Sequence, residues 1–249
     1  MSKTIVGLLL FLTLSSLSNT SFKDEHLKHS RVRQAYIDKE KVVLDLLLEN
    51  SIDINKLVVY LRAFKSERII ELWAKNKSDK EYRLIKQYDI CQTSGGLGPK
   101  RKEGDMQIPE GFYHINHFNP YSNFYLSLGL NYPNKSDRIL GEKGNLGGAI
   151  YIHGDCVTIG CLPITNDKIK ELYIFCVEAK NNGQEKIPVT IFPAELTSKN
   201  FEELKTEFST DTSKVGLWSD LKKAYDLFNE NKCPASIVFL SNGKHLVKQ

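Results

Sequence analysis

The sequence predicts an α+β fold in which a β-rich, mostly antiparallel centre is flanked by helices at both ends. Three short runs rich in β-branched and aromatic residues, at 57–64, 68–75 and 82–91, are separated by polar turns and predict antiparallel strands. Their connections are too short for the crossovers that parallel strands need. Charged stretches with helical spacing lie before and after this region.

Residues 1–21 have the composition of a secretory signal. Lys3 supplies a positive start, residues 5–14 are apolar, and the residues that follow are small and polar. The apolar run is too short to span a bilayer comfortably. We therefore expect an exported chain that has no stable membrane insertion after the signal is removed. An uncleaved N-terminal anchor is the alternative.

The helices divide the rest of the chain into three parts. Residues 22–55 form an N-terminal helical segment with apolar positions at 42, 43, 46 and 47. Residues 56–194 are expected to form the central domain. Residues 195–249 form a C-terminal helical extension packed on that domain, with helices expected at 201–207 and 217–228 and a last short strand at 237–240.

Within the central domain, further strands are predicted after the first three, at 112–115, 126–130, 150–152 and 188–193. Residues 135–148 are rich in glycine and predict a flexible connection. Thr165 precedes a segment with helical spacing and predicts a helix N-cap.

Composition excludes several classes of function. The chain has 249 residues and a net charge of +4, with no basic stripe or zinc finger, so no nucleic-acid partner is expected. The His, Asp and Glu residues do not have metal-ligand spacing. We therefore expect no metal and no cofactor.

Five cysteines give an odd count, so at least one thiol stays outside intrachain pairs. Spacing alone leaves the pairing of Cys91, Cys156, Cys176 and Cys233 open. Cys156 is expected to be structural and unbridged, and Cys176 to lie in the core. A thiol-redox pair of Cys156 and Cys161 is an alternative, although the gap between them does not match CxxC.

The chemistry is expected in the loop between the strand at 150–152 and the helix that starts after Thr165. His153 stands where the strand ends, and Cys161 lies before the helix. A thiol and an imidazole on one tight loop can approach within hydrogen-bond reach, as a Cys–His nucleophile pair requires.

The loop also resembles the catalytic motif of L,D-transpeptidases of the YkuD type, in particular the YafK-like branch. The motif consists of HG at 153–154 and TIGC at 158–161. The resemblance extends to GPKRKEGDMQIPEGFYHI at 98–115, FYLSLGLNYPN at 124–134 and WSDLKKAYDLF at 218–228. It covers roughly residues 57–240 and implies a mostly antiparallel or mixed β-sandwich domain.

The resemblance implies acyl transfer through a thioester. Cys161, as a thiolate, attacks a carbonyl of a peptidoglycan stem peptide, and His153 takes the thiol proton. The Gly154 carbonyl, or alternatively the Asp155 carboxylate, orients the ring.

Two further catalytic positions lie in the same loop. Backbone N–H groups around Gly160 are expected to bind the tetrahedral oxyanion. Thr158 is expected to support the loop or contact the substrate. Outside the loop, His117, Tyr125 and Asn131 are the candidate substrate contacts.

The loop also departs from the commonest members of this family. Ile159 replaces a second histidine, and the spacer after HG is short, as in the YafK-like branch. The expected partner is peptidoglycan, with a wall-attached protein as an additional candidate, in the periplasm or otherwise at the cell wall outside the cytoplasm. Hydrolysis in place of transfer, and a non-catalytic wall-binding module, remain alternatives.

Overall fold

The computed structural model describes residues 20–249, so the predicted signal lies almost wholly outside the described residues. The strands in this range are β1 (Leu57–Phe64), β2 (Ile69–Asn76), β3 (Arg83–Asp89), β4 (Gly111–Asn119), β5 (Ser127–Leu130), β6 (Tyr151–His153), β7 (Leu162–Pro163), β8 (Ile187–Phe192), β9 (Ser236–Phe239) and β10 (His245–Lys248). The α-helices are α1 (Phe22–Leu27), α2 (Ser30–Glu49), α3 (Lys135–Leu140), α4 (Asn166–Asn181), α5 (Ser198–Glu207) and α6 (Thr212–Asn231).

Strands β1 to β8 form one mixed sheet in the order β3-β2-β1-β8-β4-β5-β6-β7, and β9 pairs with β10 in a separate ribbon. The predicted antiparallel meander β1–β2–β3 is confirmed. Two pairs are parallel, β1 with β8 and β6 with β7. The α+β class and the mixed sheet are therefore confirmed.

The sheet curls so that its two ends meet. The N–H of Cys91, just after β3, donates to the carbonyl of Pro163 in β7 at 3.0 Å. A disulfide joins Cys91 to Cys156, with 5.6 Å between their Cα atoms. The expectation that Cys156 is unbridged is therefore wrong, because the curl brings β3 against the loop between β6 and β7.

Helix α4 covers one face of the sheet, and α2 packs on the outer side of α4. Most of α4 is buried, and Cys176 is fully buried within it, which confirms its predicted place in the core. The Tyr36 hydroxyl of α2 donates to Glu178 of α4 at 2.8 Å. Lys23 pairs with the same carboxylate at 2.7 Å. The N-terminal segment is thus an integral layer of the domain.

Helix α6 covers the opposite face, and its aromatic residues Trp218, Tyr225 and Phe228 are buried there. The indole N–H of Trp218 donates to Glu110 at 2.6 Å. The other oxygen of Glu110 accepts from the Gly98 N–H at 2.7 Å and pairs with the buried Lys65 at 2.9 Å. In this way α6 holds both ends of a loop, residues 98–110, that we call the GPK loop.

Some local expectations differ from the structure. The predicted flexible connection at 135–148 contains α3, which starts with a capping box between Asn134 and Asp137. The first helix is interrupted at His29, whose backbone is extended. The C-terminal extension contains a second ribbon strand, β10, beside the predicted one.

Candidate active site

The candidate nucleophile loop connects β6 and β7, which pair in parallel with His153 opposite Pro163. Cys161 lies one residue before β7 and beside Tyr151, whose N–H donates to the Cys161 Sγ at 3.4 Å. Cys161 and His153 therefore occupy diagonal positions on neighbouring strands, with their side chains on the same face. The structure thus brings the two residues of the predicted pair together.

The His153 ring is held on two sides. Only 1% of the residue is exposed. Its Nδ1 contacts the Gly154 carbonyl, and because a carbonyl only accepts, Nδ1 carries the hydrogen and Nε2 keeps a free lone pair. The Phe124 ring stacks on the imidazole with centroids 4.6 Å apart. This leaves Nε2 as the nitrogen that can act as a base.

Burial sets the charge state of the pair. It lowers the pKa of His153 below its usual value, while the Gly154 carbonyl and the Asp155 carboxylate act against this shift. Burial likewise raises the pKa of the Cys161 thiol, against the effects of the Tyr151 N–H and the Lys100 charge. The resting pair is therefore a thiol and a neutral imidazole at neutral pH.

The thiol contacts agree with this neutral state. The Cys161 S–H donates to the Ala149 carbonyl at 3.6 Å. Within residues 20–249, no hydrogen bond joins that thiol to the His153 ring. For His153 to act as the base of the predicted pair, the S–H would have to turn from the Ala149 carbonyl to the ring nitrogen.

Thr158 organises the loop around the thiol. Its hydroxyl accepts from the N–H groups of Cys161 at 2.7 Å and Gly160 at 3.0 Å, and donates to the Cys161 carbonyl at 2.8 Å. The sequence left two roles open for Thr158, and these contacts support the role of holding the loop. The two N–H groups expected to bind an oxyanion are thus bonded to this hydroxyl.

Both glycines of the motif are required by their surroundings. Gly160 has a φ of +136°, and a Cβ on it would lie 2.9 Å from the Gln107 carbonyl of the GPK loop. A Cβ on Gly154 would collide with the Asn166 side chain and lie 2.8 Å from the Phe124 carbonyl. The close contacts that hold the loop thus leave no room for a side chain at either position.

His117 reaches the site side of the sheet because of a bulge in β4. Ile115 pairs with Leu130 but His117 pairs with Gly129, which leaves Asn116 as the extra residue. The bulge turns His117 to the face of Gly129. The Tyr151 ring crosses Gly129 there, 6.4 Å from the imidazole between centroids. His117 therefore lies on the same face of the sheet as the Tyr151 ring.

The other two candidate substrate contacts lie elsewhere. The Tyr125 ring packs towards the helices, near Arg31 of α2 and Lys170 of α4, at 5.8 Å and 5.4 Å from the two cationic groups. Asn131 accepts from the His114 N–H at 2.7 Å and extends the β4–β5 pairing. It lines a cavity of about 350 Å³ whose walls include neither member of the Cys–His pair.

Sequence reasoning missed the contribution of the GPK loop. Lys100 is buried, and its charge acts on the Cys161 thiol. Asp105 pairs with Lys100 at 2.5 Å and accepts from the Gln107 N–H at 3.0 Å. The signal was the GPK…GD stretch of the resemblance, which carries the residues that form this support.

Residues 20–249 contain no group of three or more His, Cys, Asp or Glu side chains placed to hold a metal ion. None of the helices in that range is long and apolar enough to cross a membrane.

Solved structures with related folds are distant. The helical cell shape determining protein Pgp2 of Campylobacter jejuni, as a K307A mutant, is 20% identical, with a TM-score of 0.44 over 74% of this chain and 72% of that one. Bd1075 of Bdellovibrio bacteriovorus is 22% identical, with a TM-score of 0.38 over 68% of this chain and 62% of that one.

The sequence comparisons are closer. A protein of Escherichia coli K12 named "Putative L,D-transpeptidase YafK" is 37% identical over 193 residues, which cover 77% of this chain and 74% of the relative. The profile of the YkuD family, the L,D-transpeptidase catalytic domain, matches residues 54–191. That match includes the β1–β8 sheet and the whole loop with His153 and Cys161, and the chain therefore belongs to the YkuD family of L,D-transpeptidase catalytic domains.

Proposed function

We propose that the chain is an exported cysteine enzyme that forms a thioester between Cys161 and a peptidoglycan stem peptide. The observation that carries the proposal is the parallel pairing of β6 and β7, which sets the only thiol of the loop outside the disulfide beside the strand that ends in His153. The family of the chain supports the substrate class. The apolar run in the first 21 residues supports export.

The first half of the reaction follows from the contacts of the pair. When a stem-peptide carbonyl approaches, the Cys161 S–H turns from the Ala149 carbonyl to His153 Nε2 and transfers its proton. The sulfur attacks the carbonyl carbon, and the new oxyanion draws N–H groups away from the Thr158 hydroxyl. A charged oxygen is the stronger acceptor, so these bonds strengthen in the transition state. His153 then gives its proton to the leaving amine.

The fate of the thioester distinguishes the two enzymatic alternatives. An amine of a second stem peptide gives transfer and a new cross-link. Water gives hydrolysis, which shortens a stem peptide or releases an amine such as that of a wall-attached protein. Both alternatives use the same Cys161 and His153, and both regenerate the free thiol.

The proposal is tested with purified muropeptides and mass spectrometry of both protein and products. We expect a mass increase on Cys161 and altered stem peptides, with none of either in Cys161→Ser. Cys233→Ser is the matched control, because that cysteine is exposed and has no disulfide. Larger, cross-linked products indicate transfer, and shortened or uncoupled products indicate hydrolysis. Wall binding without any product, or an adduct on another residue, would overturn the proposal.

A further inference from the structure

Ser127, at the start of β5, lies directly beside His153. The two residues are register partners in the antiparallel β5–β6 pair. The adjacent residues Leu126 and Gly154 are joined by a backbone hydrogen bond of 3.2 Å. Because hydrogen-bonded and non-hydrogen-bonded pairs alternate along such a ladder, Ser127 and His153 form a non-hydrogen-bonded pair. Side chains of that kind of pair point to the same face and are the closest in a sheet.

The Ser127 hydroxyl is buried without a partner. The residue is 1% exposed, and its Oγ makes no hydrogen bond in the part of the chain that the structure describes. A buried hydroxyl in this state carries a desolvation penalty, so an alanine at the same place folds at least as well. The presence of a serine at position 127 therefore needs an explanation other than the stability of the fold.

The proposed reaction gives the Ser127 hydroxyl a use, because it changes the hydrogen-bonding needs of the neighbouring His153 ring. After proton transfer the ring carries two N–H groups, and the Nδ1 group is already bonded to the Gly154 carbonyl. Under the proposed mechanism, the Nε2 group donates to the sulfur of Cys161 until that sulfur bonds to carbon and stops accepting. With its ring 1% exposed, His153 then has little access to water. A charged N–H left without an acceptor in such a place is costly.

We propose that Ser127 is a positioning residue for His153, and that its hydroxyl accepts from Nε2–H while the sulfur is bonded to the carbonyl carbon. The proton passes from Cys161 Sγ to Nε2 and then to the leaving amine. Ser127 keeps its own proton throughout, and none of its covalent bonds breaks. The proposal rests on the Cys161–His153 chemistry proposed above.

The test compares Ser127→Ala with Ser127→Thr, both in the full chain carrying Cys233→Ser so that Cys161 is the accessible thiol. The rate of Cys161 alkylation by iodoacetamide is measured from pH 5 to 10, and the His153 ring is titrated by NMR. Alkylation also bonds the sulfur to carbon while the ring holds the proton. We expect an about tenfold lower rate at pH 7 in Ser127→Ala, as for a lost hydrogen bond to a charged group.

Three further results are expected from the same variants. The pKa of His153 is lower still in Ser127→Ala, because the protonated ring loses an acceptor. The charged groups around the pair are the Asp155 carboxylate, which raises the pKa of His153, and Lys100, which lowers the pKa of the Cys161 thiol. Ser127→Thr, which keeps the hydroxyl, retains the parent rate and titration. The thermal midpoint of Ser127→Ala is unchanged or higher, whereas loss of a residue needed only for the fold would lower it.

Two results overturn the proposal: a parent-like pH profile in Ser127→Ala, or an equal loss of rate in the alanine and threonine variants. The muropeptide assay distinguishes failure of the positioning role of Ser127 from failure of the proposed function. Absence of muropeptide products together with slowed alkylation in Ser127→Ala rejects the substrate and keeps the positioning role. Parent-like product formation and alkylation in Ser127→Ala reject the positioning role and keep the function.

Discussion

Removal of the Cys91–Cys156 disulfide is expected to cost the domain a large part of its stability. The bond closes a loop with a sequence separation of 65. By the chain-entropy relation, a loop of that length restricts the unfolded chain by about 4 kcal/mol at 25 °C. The Cys91 N–H bond to Pro163 and the 2.7 Å Lys168–Asp89 ion pair remain at the same junction. Removal of the disulfide is therefore expected to act mainly by releasing the unfolded chain, because the contacts of the folded junction remain.

The assay is urea unfolding of the Cys91→Ser, Cys156→Ser double variant. With a urea m-value of roughly 2–3 kcal/mol/M, a loss of about 4 kcal/mol lowers the midpoint by roughly 1.3–2 M. Cys233→Ser is the control and is expected to keep the parent midpoint. A loss below about 1 kcal/mol would refute the entropic reasoning of the disulfide relation.

The same double variant tests the redox alternative for this loop. With Cys156 bonded to Cys91 across the sheet junction, the Cys161 thiol is left free for attack on a carbonyl. We therefore expect the double variant to form muropeptide products in the absence of denaturant. Complete loss of product in a variant that is still folded would indicate that the disulfide takes part in the reaction itself.

Three other changes have expected outcomes. Gly160→Ala should abolish product formation and cost about 1–2 kcal/mol or more in urea unfolding, because its φ of +136° is strained for alanine and the Gln107 carbonyl lies in the way; parent activity would contradict this. Trp218→Phe should lower the free energy of unfolding by roughly 1.5–3 kcal/mol, because the buried Glu110 loses a donor; an unchanged value would mean that the bond contributes nothing. The alkylation rate of Cys161 should keep rising above pH 9, because burial raises the thiol pKa beyond its usual 9.0; a plateau below pH 8 would reveal a preformed thiolate.

The elements that the sequence predicted well are those specified by local patterns. The β1–β2–β3 meander follows from short alternating runs joined by tight turns. The α4 helix follows from apolar spacing and from the Thr165 side chain, which accepts from the Lys168 N–H. The His153–Gly154 contact also lies within two adjacent residues. In each case the determining interaction is close along the chain.

The features that could not be predicted depend on contacts between distant segments. The parallel β1–β8 pair joins residues more than a hundred positions apart, and no local pattern encodes it. The disulfide at Cys156 depends on the curl that brings β3 to β7. The direction of the Tyr125 ring is set by cations on α2 and α4. The bulge at Asn116 changes which β4 side chains face the site, and a one-residue insertion has no distinct composition.

The long-range contacts explain how helix α6 supports the loop that carries Cys161 in this chain. The N–H groups of Gly160 and Cys161 are useful to an oxyanion only if they are held in place before it forms. Thr158 holds them from within the loop, and the Gln107 carbonyl packs against Gly160 from the GPK loop. That loop is fixed in turn by the Trp218–Glu110 bond to α6. The Thr158 hydroxyl is a neutral acceptor, so under the proposed mechanism a charged oxyanion, as the stronger acceptor, competes with it for the same donors.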